Sequence, residues 1–410
     1  MLTPYVDVLR RPGALAFSAV GLLGRLPMSM EGLGVILLVS ITQGAYALAG
    51  VLSSILALSA AFISPLTSRW SDRFGQAVIL RVIAPAQAVA LTLIVVAVRA
   101  DAPTAVLVLL AILGGAFQPN VGSMVRARWA AMLSGTPQLG IAFALESVLD
   151  EVIFILGPVL ATGLAIGVSP GAGLIAAAVL VIIGGLSLAA QHRTQPEPVS
   201  AAQAHLNRDR MGTAVPIVGL IFLCLGICFG ALEVGVVAFS TEAGIPWASG
   251  VLLALFSVGS AFGGIVFGPR VAGRDLPRQL LLVLAISILA VIPITLVRTP
   301  AQLAVVALIG GVIIAPSLIC GFTIVENLVP SSRLTESITW VSAGIGVGFA
   351  IAAGVCGVLI DAHGATAGLA VSVVGVALAA LASLSTFPAL ERLWRARPAA
   401  LDPAAHDFIE

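Results

Sequence analysis

Charge is scarce in this chain. Of its 410 residues only 10% are Asp, Glu, Lys or Arg, and all twenty basic residues are arginine. A soluble domain carries about 25% charged residues, so the composition excludes one. No run of basic residues interleaved with aromatics occurs, which leaves nucleic acid no footprint. A glycine-rich Walker loop is also missing, so the chain does not run on ATP by itself. The four histidines (His192, His205, His363, His406) fall in loops or the tail, away from any nucleophile. No enzyme constellation survives, and nothing asks for a cofactor or a metal. Cys224 and Cys228 stand four apart, a spacing that could hold a soft metal. With Cys320 and Cys356 they lie in apolar spans, where small packing residues are the simpler reading. No segment alternates with the period of a barrel strand.

Apolar length is what the chain has. Hydrophobic residues make up 59% and mean hydropathy is +1.12. Runs of about twenty apolar residues, each able to cross about 30 Å of hydrocarbon, recur throughout. Backbone groups must be satisfied within each run, so an all-α membrane protein is predicted. We place twelve spans near 13–40, 46–67, 77–98, 103–125, 139–167, 170–190, 214–240, 247–269, 279–297, 300–328, 335–360 and 364–387. Arg10 and Arg11 precede the first apolar stretch as in a signal peptide, but that stretch is too long for a cleaved one. The segment 192–213 is the only long polar piece inside the chain. It divides an N-terminal six-helix half (1–191) from a C-terminal one (214–390), and 391–410 forms a tail. If the N-terminus is inside, only Arg99 and Arg298 fall outside and Arg25 lies within a span. That asymmetry predicts a bacterial inner-membrane protein with linker and both termini cytoplasmic.

The halves read as repeats. A shift of 200 lays ITQGAYALAGVL (41–52) on TEAGIPWASGVL (241–252), and 196 lays AILGG (111–115) on ALIGG (307–311). A shift of 195 lays GAGLIAAAV (171–179) on TAGLAVSVV (366–374). Order and near-constant offset predict two parallel, pseudo-symmetric bundles.

The fifth span carries Glu146, Asp150 and Glu151 near its middle. A carboxylate at that depth costs about 2.5–3.5 kcal/mol, so each needs a reason. Glu146, Asp150 and Gly157 share one helix face, which cannot look at lipid. Two readings stand: a proton site, or a structural cluster satisfied by Arg126 and Arg128 of the VRARW segment. Glu31 and Glu233 lie at similar depths in spans one and seven. Glu31 is either functional or paired with Arg25; six residues turn about 600°, so only a kink at Pro27 would bring them together. Gln118 and Asn120 straddle Pro119 as cavity ligands or as caps of a kinked backbone. Glu326, Arg333 and Glu336 flank one turn, either as a gate of ion pairs or as a solvated cluster. Glycine pairs such as Gly259 and Gly263 read as helix-packing devices.

With these features the chain resembles the major facilitator superfamily over nearly its full length. SRWSDRFGQA (68–77) is similar to that family's loop G-x-L-A-D-R-x-G-R-R, matching at Asp72, Arg73 and Gly75 and departing at Ser68, Trp70, Gln76 and Ala77. The resemblance implies a loop that latches one state; the missing basic pair weakens that latch or leaves its work to Arg81, while Asp72 can face a helix N-terminus. GPRVAGRD (268–275) is its degenerate counterpart. Gly157-Pro158 resembles the Gly-Pro motif of the drug/proton antiporter branch, although Ala161 and Thr162 replace the glycines expected next. The resemblance further implies that spans one, four, seven and ten line a central path, which both Glu31 and Glu233 could face; with Arg25, Gln118 and Asn120, and with Glu146 and Asp150 of the fifth span, they are the proton and substrate candidates. The expected function is a secondary active transporter that exports small amphipathic molecules, cations among them, against protons. Its partners would be substrate, protons and bilayer, with the chain a monomer as is usual for the superfamily. A sugar or metabolite permease is the alternative, and a non-transporting membrane sensor is the third reading.

Overall fold

The computed structural model describes residues 3–133, 136, 138–198, 212–267, 275–329 and 334–396. Among them every regular element is helical, and twelve segments are long and apolar enough to cross a membrane. The chain divides into two compact units, Met1–Leu206 and Asn207–Glu410.

The first unit holds α1 (Thr3–Leu9), α2 (Ala14–Gln43), α3 (Tyr46–Phe74), α4 (Gln76–Arg99), α5 (Thr104–Ala116), α6 (Val121–Leu133), α7 (Gln138–Gly167) and α8 (Ala172–Ala190). Helix α2 is its hub, packing on α3, α6, α7 and α8. The continuous run Val35, Ile36, Leu37, Leu38 and Val39 is wholly buried, as expected of a helix surrounded by others. The second unit holds α9 (Ala214–Glu242), α10 (Ala248–Phe267), α11 (Leu276–Val291), α12 (Pro300–Gly311), α13 (Ile314–Leu328), α14 (Leu334–His363) and α15 (Ala365–Arg395). Here α9 is the hub, on α14 and α15. Both units use one scheme: first helix on the last two, second on the fourth, third on the sixth.

The repeat extends to single contacts. Gly115 of α5 sits on the Leu56 carbonyl so closely that a Cβ would collide with it, and Gly311 of α12 sits likewise on that of Phe256. Gly34 packs on Leu174 in the first unit, and Gly235 on Leu369 in the second. Close approach through small residues is how membrane helices gain van der Waals contact. Gly259 and Gly263 follow the rule, since Cβ atoms there would strike the carbonyls of Leu308 in α12 and of Val312 just after it.

Four expectations change, the twelfth span among them: α15 runs to Arg395, past the 387 expected and into the segment read as a tail. The fourth span is not one helix over 103–125 but runs from Thr104 to Leu133, interrupted at 117–120. Pro119 has no N–H and disfavours helix at the residue before it, and the Asn120 side chain accepts from Ser123 N at 3.2 Å as an N-cap that restarts the chain as α6. The tenth span breaks at the corresponding place, between α12 and α13. The second span runs to Phe74, past the 46–67 expected, so Asp72 and Arg73 belong to the last turn of α3 rather than to a loop. Only Gly75 separates α3 from α4. Its φ of 90° is open to glycine, and a Cβ would meet the Gln195 side chain at 2.7 Å.

Candidate functional site

Three helices of the first unit converge on a charged cluster. Ser18 and Arg25 lie two turns apart on α2, Glu146 and Asp150 one turn apart on α7, and Arg126 and Trp129 on one face of α6. Glu146 is fully buried: its Oε1 accepts from Ser18 Oγ at 2.8 Å and from Trp129 Nε1 at 2.8 Å, and its Oε2 receives Arg25 Nη2. Arg25 Nη1 reaches Asp150 Oδ1 at 2.7 Å while Arg126 Nη2 holds Asp150 Oδ2 at 2.6 Å. Arg25 Nε is engaged too, donating to the Gly21 carbonyl at 3.1 Å. Two cations thus balance two anions. Burying one charge alone is costly, whereas a paired and hydrogen-bonded set is tolerated.

Arg128 is not part of this cluster, contrary to expectation. Fully buried on α6, it donates from Nε to Gln76 Oε1 at 2.8 Å, from Nη1 to Gln191 O at 3.0 Å and Thr194 Oγ1 at 2.8 Å, and from Nη2 to Leu188 O at 2.9 Å. It caps the end of α8 and pins the turn His192–Thr194 that follows. Gln195 Oε1 in turn accepts from Ala77 N at 2.9 Å. That amide at the start of α4 is therefore capped by Gln195, with no capping bond from Asp72. Arg81 lies 3.1 Å from His192 Nε2, and Arg73 lies over the Phe74 ring, 5.2 Å from its centroid.

Glu31 does not pair with Arg25. Its Oε1 accepts from Gln87 Nε2 at 2.8 Å and its Oε2 from Gln118 Nε2 at 3.0 Å. It is 1% exposed, and among the described residues no cation pairs with it. Gln118 comes from the unwound break of the fourth span, so the interruption delivers a side chain to Glu31. Asn120 does not reach Glu31; besides capping α6 it donates to Ser64 Oγ at 3.1 Å. Glu233 in α9 has a buried Oε1 with no hydrogen-bond partner. The Gly34–Gly235 correspondence puts Glu31 in repeat register with Leu232, one residue from Glu233, so the two acids are not exact repeat equivalents.

Gly157 lies where α7 meets α2, and a Cβ there would collide with the Ser29 side chain. Ser29 Oγ is 3.0 Å from Ile153 O across the same contact, and α7 continues through Pro158. Glu326 is exposed near the end of α13. Arg333, the Glu336 side chain, the segment 268–274 and most of the linker lie outside the described residues. Sequence reasoning missed Gln87, Ser18 and Trp129. Gln87 carried a readable signal, an amide two residues from Pro85 in an apolar span.

Two similar six-span units with ionisable groups held at span depth are the build of a membrane transporter. Residues 22–313 match the sequence profile of the Major Facilitator Superfamily, and the chain belongs to that family. Its fold is similar to solved structures at low identity. The nucleoside transporter NupG has a TM-score of 0.66 at 16% identity, over 92% of this chain and 98% of that one. A bacterial homologue of the iron transporter ferroportin in its inward-facing state gives 0.67 at 16%, over 91% and 99%. The peptide transporter POT in complex with sulfate gives 0.65 at 16%, over 93% and 95%. No curated protein matches the chain.

Proposed function

We propose that this protein is a proton-coupled secondary transporter that exports small amphipathic molecules, lipophilic cations among them, by alternating access. The observation that carries this is Glu31: a buried carboxyl in the hub helix, held by two neutral amides and by no counter-charge. Such a group can take up and release a proton without breaking an ion pair, and ionisable groups inside membrane spans are functional by default. Glu233, with one unpartnered oxygen, is the corresponding candidate in the second unit. Glu146 and Asp150 we assign to structure, because each is already matched by arginine. With the unpaired groups acidic, a cation that competes with protons is the natural cargo. The structural neighbours move nucleosides, iron and peptides by their names and so do not choose a cargo. Arginine asymmetry supports a bacterial inner membrane with both termini cytoplasmic.

The test uses tetraphenylphosphonium as probe in proteoliposomes under an imposed pH gradient. Glu31→Gln is expected to abolish gradient-driven movement. Undiminished movement in that variant would remove Glu31 from the mechanism. The amides around Glu31 equally suit hydroxylated cargo, so a sugar or metabolite permease is the second reading. Stabilisation of the protein by sugars and not by the cation in a thermal-shift screen would favour it.

A further inference from the structure

Only one end of the Gln87 amide is hydrogen-bonded among the described residues. Its Nε2 donates to Glu31 Oε1 at 2.8 Å, yet its own Oε1 is buried with no donor near it. The residue is fully buried on α4, away from bulk solvent. An orphaned acceptor of this kind is costly and calls for an explanation. Turning the amide by half a revolution about its last torsion exchanges oxygen and nitrogen in place, and that torsion is broad and two-fold. Glu31 is the only side-chain partner Gln87 has among the described residues, so no other group there fixes which way the amide faces.

We infer that Gln87 is a positioning residue that follows the charge state of Glu31, donating through Nε2 to the carboxylate and accepting through Oε1 from the carboxylic acid. This rests on the reading of Glu31 as the proton carrier. Protonation forms one O–H bond on Glu31 Oε1, and deprotonation returns that proton to water or to the transport path. In the acid form the new hydroxyl points at Gln87 Oε1, while Glu31 Oε2, now the carbonyl, keeps its bond from Gln118 Nε2. In the anion both oxygens accept from amide N–H groups. Each state of Glu31 is therefore fully hydrogen-bonded without moving the backbone, which suits a group that must cycle.

The surrounding charges leave this exchange to the amides. On α2 the only other ionisable group is Arg25, committed to α7. The packed helices bring Asp7 and Tyr5 on α1, Tyr46, Arg69, Asp72 and Arg73 on α3, and Arg81 and Arg99 on α4. They also bring Arg126 and Arg128 on α6 and Glu146, Asp150 and Glu151 on α7, with none on α8. None forms an ion pair with Glu31.

Infrared difference spectroscopy of the purified full-length protein, titrated with pH in the absence of cargo, tests this. The carboxylic C=O band missing from Glu31→Gln belongs to Glu31. Gln118→Met, which loses a donor bonded more strongly to the carboxylate than to the carbonyl of the acid, is expected to raise the proton affinity of that band up to about tenfold. Gln87→Met loses a donor to one form and an acceptor to the other, so its affinity is expected to stay within about threefold while the C=O band moves to higher frequency. In Gln118→Met, where Gln87 is the one glutamine left bonded to Glu31 among the described residues, with glutamine carrying carbon-13, a glutamine amide band is expected to shift with the Glu31 midpoint and to stand still when Glu31→Gln is added. This last measurement holds even if Gln87→Met does not fold. If no band lost in Glu31→Gln titrates between about pH 4 and 10, the proton-carrier reading fails and this inference with it. If Glu31 titrates but the glutamine band stays fixed, or Gln87→Met behaves as Gln118→Met does, only the role given to Gln87 falls.

Discussion

Arg25 holds two carboxylates at once, Nη2 on Glu146 and Nη1 on Asp150, and a planar guanidinium is the side chain that presents donors in that fork. Arg128 goes further, reaching Gln76, Leu188, Gln191 and Thr194 together. An ammonium keeps the charge and loses the fork. Arg25→Ala is expected to destabilise the protein by about 3–5 kcal/mol, the cost of stranding a buried partner, and Arg25→Lys by a smaller but measurable amount. Unfolding of the purified protein in detergent checks both, and a Lys variant as stable as the wild type would refute the two-carboxylate role. At this scale the sequence disclosed the acids and one partner, Arg126 for Asp150, and hid the reach of Arg25 to both. Depth alone marks Glu31, Glu146 and Asp150 as costly. Helical spacing, however, says which residues share a face and not which faces meet, and Arg25 stands 121 residues from Glu146. Gln87 escaped notice because a neutral amide in a membrane helix is cheap enough to pass as filler.

Helix contacts decide the next level. Gly157 lets α7 close on α2 at Ser29, so Gly157→Ala is expected to cost about 1–3 kcal/mol by overpacking, with partial recovery in the Ser29→Ala double variant. A calorimetric comparison of Gly157→Ala, Ser29→Ala and the double variant reads this directly; Gly157→Ala no less stable than wild type would mean that the contact is looser than the geometry implies. The spans themselves were legible, because twenty apolar residues in a row have few other fates. The interruption of the fourth was not. Pro27, Pro65, Pro85, Pro158 and Pro388 all sit inside continuous helices, so proline by itself carries little information. What distinguishes Pro119 is Asn120 beside it, able to cap a fresh helix start.

Across the whole chain, the short matches near offsets of 195 to 200 corresponded to real contacts, since Gly115 on Leu56 and Gly311 on Phe256 repeat one another. Orientation remains a prediction from arginine placement. The native cysteines are buried, so single cysteines can be introduced directly. Arg99→Cys is expected to react with an impermeant maleimide from outside intact cells, and Arg193→Cys only after the membrane is opened. The reverse pattern would invert the topology.

Gln195, at the start of the central connection, supplies the acceptor for an amide 118 residues earlier in the chain, at Ala77. Where this gene tolerates a cut or a graft is therefore displaced from the helix end at Ala190 to beyond residue 195. A protease site inserted between residues 191 and 195 would unseat the Arg128 clamp and leave α4 without its cap, whereas the same insert after residue 198 would leave that knot tied.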